Sequence, residues 1–196
     1  MPSRRPDVAV EILLIRHAPA DHGGRLVGRT DVPAVLPEAA ALAFARRAVG
    51  ENCTVVSSPA RRCRETTSAL FPDAGARIDP ALWEQDFGVR DGGPLDAMPD
   101  LGALDRAALA AWRPEGGESF ADMAARVTPA LQALAAGDAA RVAVVAHGGT
   151  VRAALGWALG SVAAGLAFEV APLSATWLVA APGGIAIRRV NVALLP

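Results

Sequence analysis

The chain has 196 residues, 52% of them hydrophobic, and its 19 basic and 20 acidic side chains leave a formal net charge of −1. That length and apolar content suit one folded domain with a substantial core and exclude a disordered chain. Near-neutrality excludes a global field directed at nucleic acid or an acidic membrane, so any anion site must be local, and Cys53 and Cys63 alone cannot build a disulfide framework.

The beginning loosely imitates an export leader, with Arg4 and Arg5 before an apolar stretch. Asp7 and Glu11 interrupt it, so a cytoplasmic protein is expected. The first strand is expected over 8–15, β-branched and aliphatic as a strand covered on both faces should be, and it delivers Arg16 and His17 at its downstream end. From 18 to 37 the chain turns to Pro, Gly, Asp and Arg, which forbids a long regular element. Pro37 then opens a helix over 38–49, with Leu42, Ala45 and Val49 on one stripe and Gly50 as its stop.

A second strand is expected over 54–57, followed by Ser58 as N-cap and Pro59 at the first position of a helix reaching Leu70. Arg61, Arg62 and Arg64 crowd the start of that helix, where the dipole makes each cation unfavourable by roughly 0.3–1 kcal/mol. A bound anion would remove the conflict; three solvated arginines are the alternative. Residues 78–93 read as extended and irregular, anchored by Leu82, Trp83 and Phe87 around Glu84 and Asp86.

Asp105 caps a short helix to Trp112, and Ser119 with Asp122 resembles a capping box opening a helix to about Ala136, kinked at Pro129 and ended by Gly137. The third buried strand, 142–146, runs into His147-Gly148-Gly149 and a helix over 150–159. The uncharged run 153–168 is shorter than the roughly 20 residues of a bilayer span, so no membrane partner is expected. Segments 175–180 and 185–192 flank Pro182-Gly183-Gly184 as a hairpin at the sheet edge. The expectation is a single α/β domain spanning 1–196: a mostly parallel mixed sheet, helices on both faces, and a C-terminal hairpin.

Three strand ends, at Ile15, Ser57 and Ala146, hand over to polar residues. In open α/β sheets ligands bind beyond the carboxyl ends of strands, so Arg16, His17, Arg62 and His147 should share one crevice. Two guanidiniums, two imidazoles and helix N-termini suit a tetrahedral dianion. Like-charge repulsion from Arg16 and Arg62 should keep His17 unprotonated and nucleophilic, while His147 becomes cationic once the dianion is bound. Glu84, among the apolar Leu82, Trp83 and Phe87, is the candidate proton donor to a leaving oxygen, with Asp86 or Asp91 as alternatives.

These residues resemble the histidine phosphatase superfamily, also called phosphoglycerate mutase-like. The matching motifs are Leu14-Ile15-Arg16-His17, Gly28-Arg29-Thr30-Asp31-Val32-Pro33, Ser57-Ser58-Pro59-Ala60-Arg61-Arg62, Leu82-Trp83-Glu84-Gln85-Asp86-Phe87-Gly88, Gly116-Gly117-Glu118-Ser119-Phe120 and Ala146-His147-Gly148-Gly149. The resemblance implies His17 as the phosphorylated nucleophile, Arg16, Arg62 and His147 as phosphate ligands, Glu84 as proton donor, and neither metal nor cofactor. Gly28, Arg29 and Gly148 join the phosphate-binding candidates. The short opening is most similar to the branch with α-ribazole phosphatases of cobalamin biosynthesis. The expected partner is a small phosphate ester, whose identity the loop over 19–27 should decide, and a homodimer stays open.

Other readings compete. Taken singly, His17 is a core histidine, Arg16 a partner for Asp21 or Asp31, and Arg62 a surface charge. His22 reads as solvent-facing, with a contact to the leaving group as the alternative, Arg25 and Arg29 as loop salt bridges or further anion contacts, and Arg152 as structural. His17, His22 and His147 with nearby carboxylates could hold a divalent metal, although the neighbouring arginines would repel it. Phosphoglycerate mutase-type transfer and a non-catalytic phosphate-binding protein on the same fold complete the alternatives.

Overall fold

The computed structural model describes residues 9–195; Arg4, Arg5, Asp7 and the Val8 start of the expected first strand lie outside that range. One six-stranded sheet carries the fold. Strands β1 (Val10–Arg16), β2 (Thr54–Ser57), β3 (Arg77–Ile78), β4 (Arg141–Ala146), β5 (Ser174–Ala181) and β6 (Gly184–Ala193) lie in the order β3-β2-β4-β1-β5-β6. Pairing is parallel from β3 through β1 and antiparallel for β5 and β6. The hairpin therefore sits at the edge, and β4 joins β1 to β2.

Alternation along β1 explains why its sequence reads as an unbroken apolar run. Ile12 and Leu14 enter one core with Met123, Val127, Leu131, Val151 and Leu155, whereas Leu13 and Ile15 enter another with Ala45, Val49, Cys63 and Leu70. Helices α4 (Phe120–Ala135) and α5 (Gly148–Ala158) thus cover one face, and α1 (Ala39–Val49) and α2 (Arg61–Leu70) the other. Each fully buried leucine contributes about 1.5–3 kcal/mol of transfer free energy. The strand ends are consequently held in a rigid frame.

Helix α1 starts with Glu38 as its N-cap, one residue after the expected position, and ends at Gly50, whose φ of 71° few residues other than glycine adopt. Helix α2 departs further: Ala60, not Ser58, is its N-cap and has no side chain to cap with, and Asp31 accepts from the Arg61 amide (2.6 Å). The Ser58 hydroxyl is engaged by His147 instead. Asp105 caps α3 (Arg106–Ala111) through the Ala108 amide, and Ser119 with Asp122 forms both halves of a capping box on α4. Pro129 does not interrupt α4, since the carbonyl it leaves without a donor belongs to Ala125, on the solvent side. Helix α5 begins at Gly148, two residues earlier than expected, with His147 as N-cap.

Candidate active site

The carboxyl ends of β1, β4 and β2 lie side by side, and each contributes to one cluster. His17 follows β1 directly and is 6% exposed, and its backbone amide donates to Ala146 O (2.9 Å). Its Nδ1 lies 2.6 Å from Ala18 O. A carbonyl only accepts, so Nδ1 carries the proton and Nε2 is left with an unprotonated lone pair. Arg62, on the first turn of α2, donates from Nε to that Nε2 at 3.3 Å.

Arg62 is 1% exposed, which excludes a surface charge. Its guanidinium donates to Gly28 O (2.9 Å) and Thr30 O (3.2 Å), and Nη2 lies 3.3 Å from His147 Nδ1. Asp91 pins that loop by accepting from the Arg29 amide (2.7 Å), the Thr30 amide (2.9 Å) and Thr30 Oγ1 (2.5 Å). Gly28 is obligatory there, because a Cβ would collide with Gln85 O, Phe87 and Asp91. Arg61 and Arg64 stay exposed. Of the three arginines crowding the start of α2, one turns inward.

His147 is fully buried, its ring 5.2 Å from that of His17 and tilted 72° to it. Arg62 can only donate to Nδ1, so Nε2 bears the hydrogen and points at Ser58 Oγ, 2.8 Å away, with Cys63 Sγ at 3.5 Å. Arg16 reaches across to Val170 O (2.5 Å), and its Nε is buried without a partner. Neither Asp21 nor Asp31 forms an ion pair with it among the described residues; Asp31 accepts from the Arg61 amide.

Glu84 closes the cluster from the segment between β3 and α4. Its Oε2 accepts from the Gly149 amide at 3.4 Å, and a Cβ on Gly149 would collide with its Oε1 and with Met123. Gly148 packs behind, against the Arg16 side chain. The Glu84 backbone is fixed by a residue the motif analysis did not single out. Arg126 pairs bidentately with Glu118 (3.0 and 2.8 Å) and donates to Ala81 O, Trp83 O and Glu84 O. The signal available for it was the first turns of α4, where Arg126 follows the acidic Glu118 just ahead of the Ser119 cap and lies one turn beyond Asp122.

Burial governs the titration here. It pushes His17 down to about 3, with Arg62 and Arg16 adding to the shift and the Ala18 carbonyl opposing it. The repulsion expected from the two arginines is thus second to desolvation. His147 is held well below its ordinary value, again first by burial, and Arg16 is lowered by burial against an opposing Glu84.

The remaining candidates separate. Arg29 lies over Trp83, 5.6 Å from the ring centroid, and 3.6 Å from Glu118, with its Nε buried and unpartnered. His22 accepts from the Gly24 amide, and Arg25 donates to His22 O, so both belong to a local turn. Asp86 caps the Gly88 amide and Asp91 holds the loop, leaving Glu84 as the carboxylate beside the cluster. Arg152 donates to Phe168 O and lines a cleft together with Glu84. Among the described residues, no three His, Cys, Asp or Glu side chains gather as a metal site would require.

A mixed sheet with two buried imidazoles, an inward arginine and a carboxylate at the carboxyl ends of its parallel strands defines a histidine phosphatase. The model of the histidine phosphatase superfamily (branch 1) matches residues 12–193, and the chain belongs to that family. A glucosyl-3-phosphoglycerate phosphatase of Mycolicibacterium vanbaalenii is 32% identical over 159 residues, covering 72% of this chain and 71% of the relative. A solved mycobacterial glucosyl-3-phosphoglycerate phosphatase superposes with a TM-score of 0.80 at 27% identity, covering 94% of this chain and 100% of the other. The α-ribazole phosphatase of Shigella flexneri shares the fold alone, with a TM-score of 0.78 at 18% identity over 93% of this chain and 96% of the other. The protein is a phosphoric monoester hydrolase by family and by relatives.

Proposed function

We propose that the protein hydrolyses the phosphate monoester of a small metabolite through a phosphohistidine on His17, without a metal. The observation that carries this reading is the unprotonated Nε2 of a buried His17, facing the Arg62 guanidinium. Nε2 attacks phosphorus, the N–P bond forms and the P–O ester bond breaks as Glu84 gives its proton to the leaving oxygen. Water then attacks phosphorus and yields a proton to Glu84, and the N–P electron pair returns to Nε2 as phosphate departs. Arg16, Arg62 and His147 hold the equatorial oxygens, with Gly148 and the Gly28–Arg29 loop behind them, and the Nδ1 bond to Ala18 O steadies the charged ring. Proton uptake at Nδ1 would turn His147 into a donor to the dianion.

The test is trapping in alkaline detergent with a phosphate ester labelled at phosphorus, since an acid quench would cleave a phosphohistidine. An acid-labile, base-stable phosphoenzyme that disappears in His17→Ala is expected, together with inhibition by vanadate; normal labelling of His17→Ala would sink the assignment. The ester panel begins with glucosyl-3-phosphoglycerate, named by the 32% identical relatives, and α-ribazole 5'-phosphate, named by the fold neighbour. It includes 3-phosphoglycerate to measure any mutase transfer.

A further inference from the structure

Beyond Glu84 the site opens into a cleft of about 220 Å³. Glu84 and Gly149 belong to both, which fixes the relation between them. With phosphorus held between His17 and the start of α5, the ester oxygen faces Glu84, and the carbon skeleton attached to it must leave through this cleft. The walls are mostly apolar: Phe87, Met98, Leu109, Trp112, Phe120 and Leu166. None of residues 19–27 lines it; the segment 98–112, including α3, supplies a large part of it.

We propose that this cleft is the leaving-group subsite and that it selects phosphate monoesters of a compact alcohol with an apolar, ring-sized body over esters of polyhydroxylated sugars. The proposal rests on the phosphohistidine reading above. Three observations argue for it. The polar side chains of the walls are few, Gln85 and Arg152 beside Glu84 itself, and two of their nitrogens are turned to backbone carbonyls, Gln85 Nε2 to Glu118 O (2.6 Å) and Arg152 Nε to Phe168 O (3.0 Å). Most hydroxyls of a sugar entering there would give up water against the apolar walls, whereas apolar carbon gains by burial. The volume lies below the roughly 300–1,000 Å³ of pockets for drug-sized ligands, so the cleft encloses about one ring system and leaves anything larger in solvent. Met98, Leu109 and Trp112 are also only partly buried, although none belongs to the packed cores, so their surface is accessible to an incoming group.

The test compares kcat/KM for 2-phenylethyl phosphate, glucose 6-phosphate and 3-phosphoglycerate. All three are esters of aliphatic alcohols, so the acidity that makes a phenol an easy leaving group does not enter. A preference of at least about tenfold for phenylethyl phosphate is expected, and Leu109→Gln and Trp112→Ala should each reduce that ratio severalfold. Thermal melts and vanadate inhibition of both variants identify one that has lost its fold. A wild-type enzyme that turns over glucose 6-phosphate as well as phenylethyl phosphate overturns the proposal, as does a preference that both folded variants retain. Absence of turnover on every ester with no acid-labile phosphoenzyme overturns the His17 reading itself, an outcome distinct from turnover without preference.

Discussion

Arg62 donates to His17 Nε2 across 3.3 Å while three of its other contacts, to Gly28 O, Thr30 O and His147 Nδ1, fix the plane of the guanidinium. The arginine is therefore aimed before any substrate arrives. A lysine keeps the charge but has neither the fork nor the reach to satisfy both carbonyls. Arg62→Lys should lower kcat/KM by about 100-fold or more, with vanadate inhibition weakened in parallel. Steady-state kinetics on one ester measures it, and near wild-type kinetics would contradict the geometry.

The buried histidines make stability depend on pH. His17 is pushed down to about 3 in the folded protein, against about 6.5 when unfolded, and His147 moves in the same direction. Between those values the unfolded chain binds protons that the folded one refuses. Stability is accordingly highest above pH 6.5 and falls as pH drops toward 3, by about 1.4 kcal/mol per pH unit for each histidine at most. Thermal melts between pH 7.5 and 4.5 should show this slope, and His17→Asn should flatten it. His17 protonation should also leave no acid limb in kcat/KM between pH 4 and 7.

Arg126 touches no part of the His17 cluster except through the backbone that carries Glu84. It is a positioning residue. Arg126→Met, which keeps much of the side-chain length, should lower kcat by about tenfold or more while vanadate inhibition changes little. Equal losses in both would assign Arg126 to the phosphate pocket or to folding alone.

Gly149 and Gly75 offer a matched pair. A Cβ at Gly149 meets Glu84 and Met123, whereas one at Gly75 meets nothing within 4 Å. Gly149→Ala should destabilise by about 1–3 kcal/mol and depress turnover, despite the better helix propensity of alanine. Gly75→Ala should stay within about 0.5 kcal/mol of the parent. Urea denaturation of both variants decides the comparison.

Sequence and structure agree where local physics dominates. The continuous apolar runs of β1, β2 and β4 are what strands buried on two faces look like, and the capping box at Ser119 is written within four residues. Disagreement arises where a partner comes from far along the chain. Ser58 reads as a helix cap until His147, 89 positions later, takes its hydroxyl. Asp91 looks like a spare acid, although it ties down the Arg29-Thr30 backbone from 61 and 62 positions away. The depth at which His17 sits, not the charges flanking it in sequence, dominates its titration. The segment 98–112 gave no sign that it walls a cleft beside Glu84, because its apolar residues are scattered through turns and one short helix.

Strand β4 lies between β1 and β2, yet it is made of residues 141–146, long after either neighbour. Before β4 is synthesised, β1 and β2 have no shared hydrogen-bond partner, and both present open edges. The order of synthesis thus delays assembly of the pocket until nearly three quarters of the chain exists, and a nascent chain or fragment ending before Arg141 carries His17 and Arg62 without the strand that pairs with both β1 and β2.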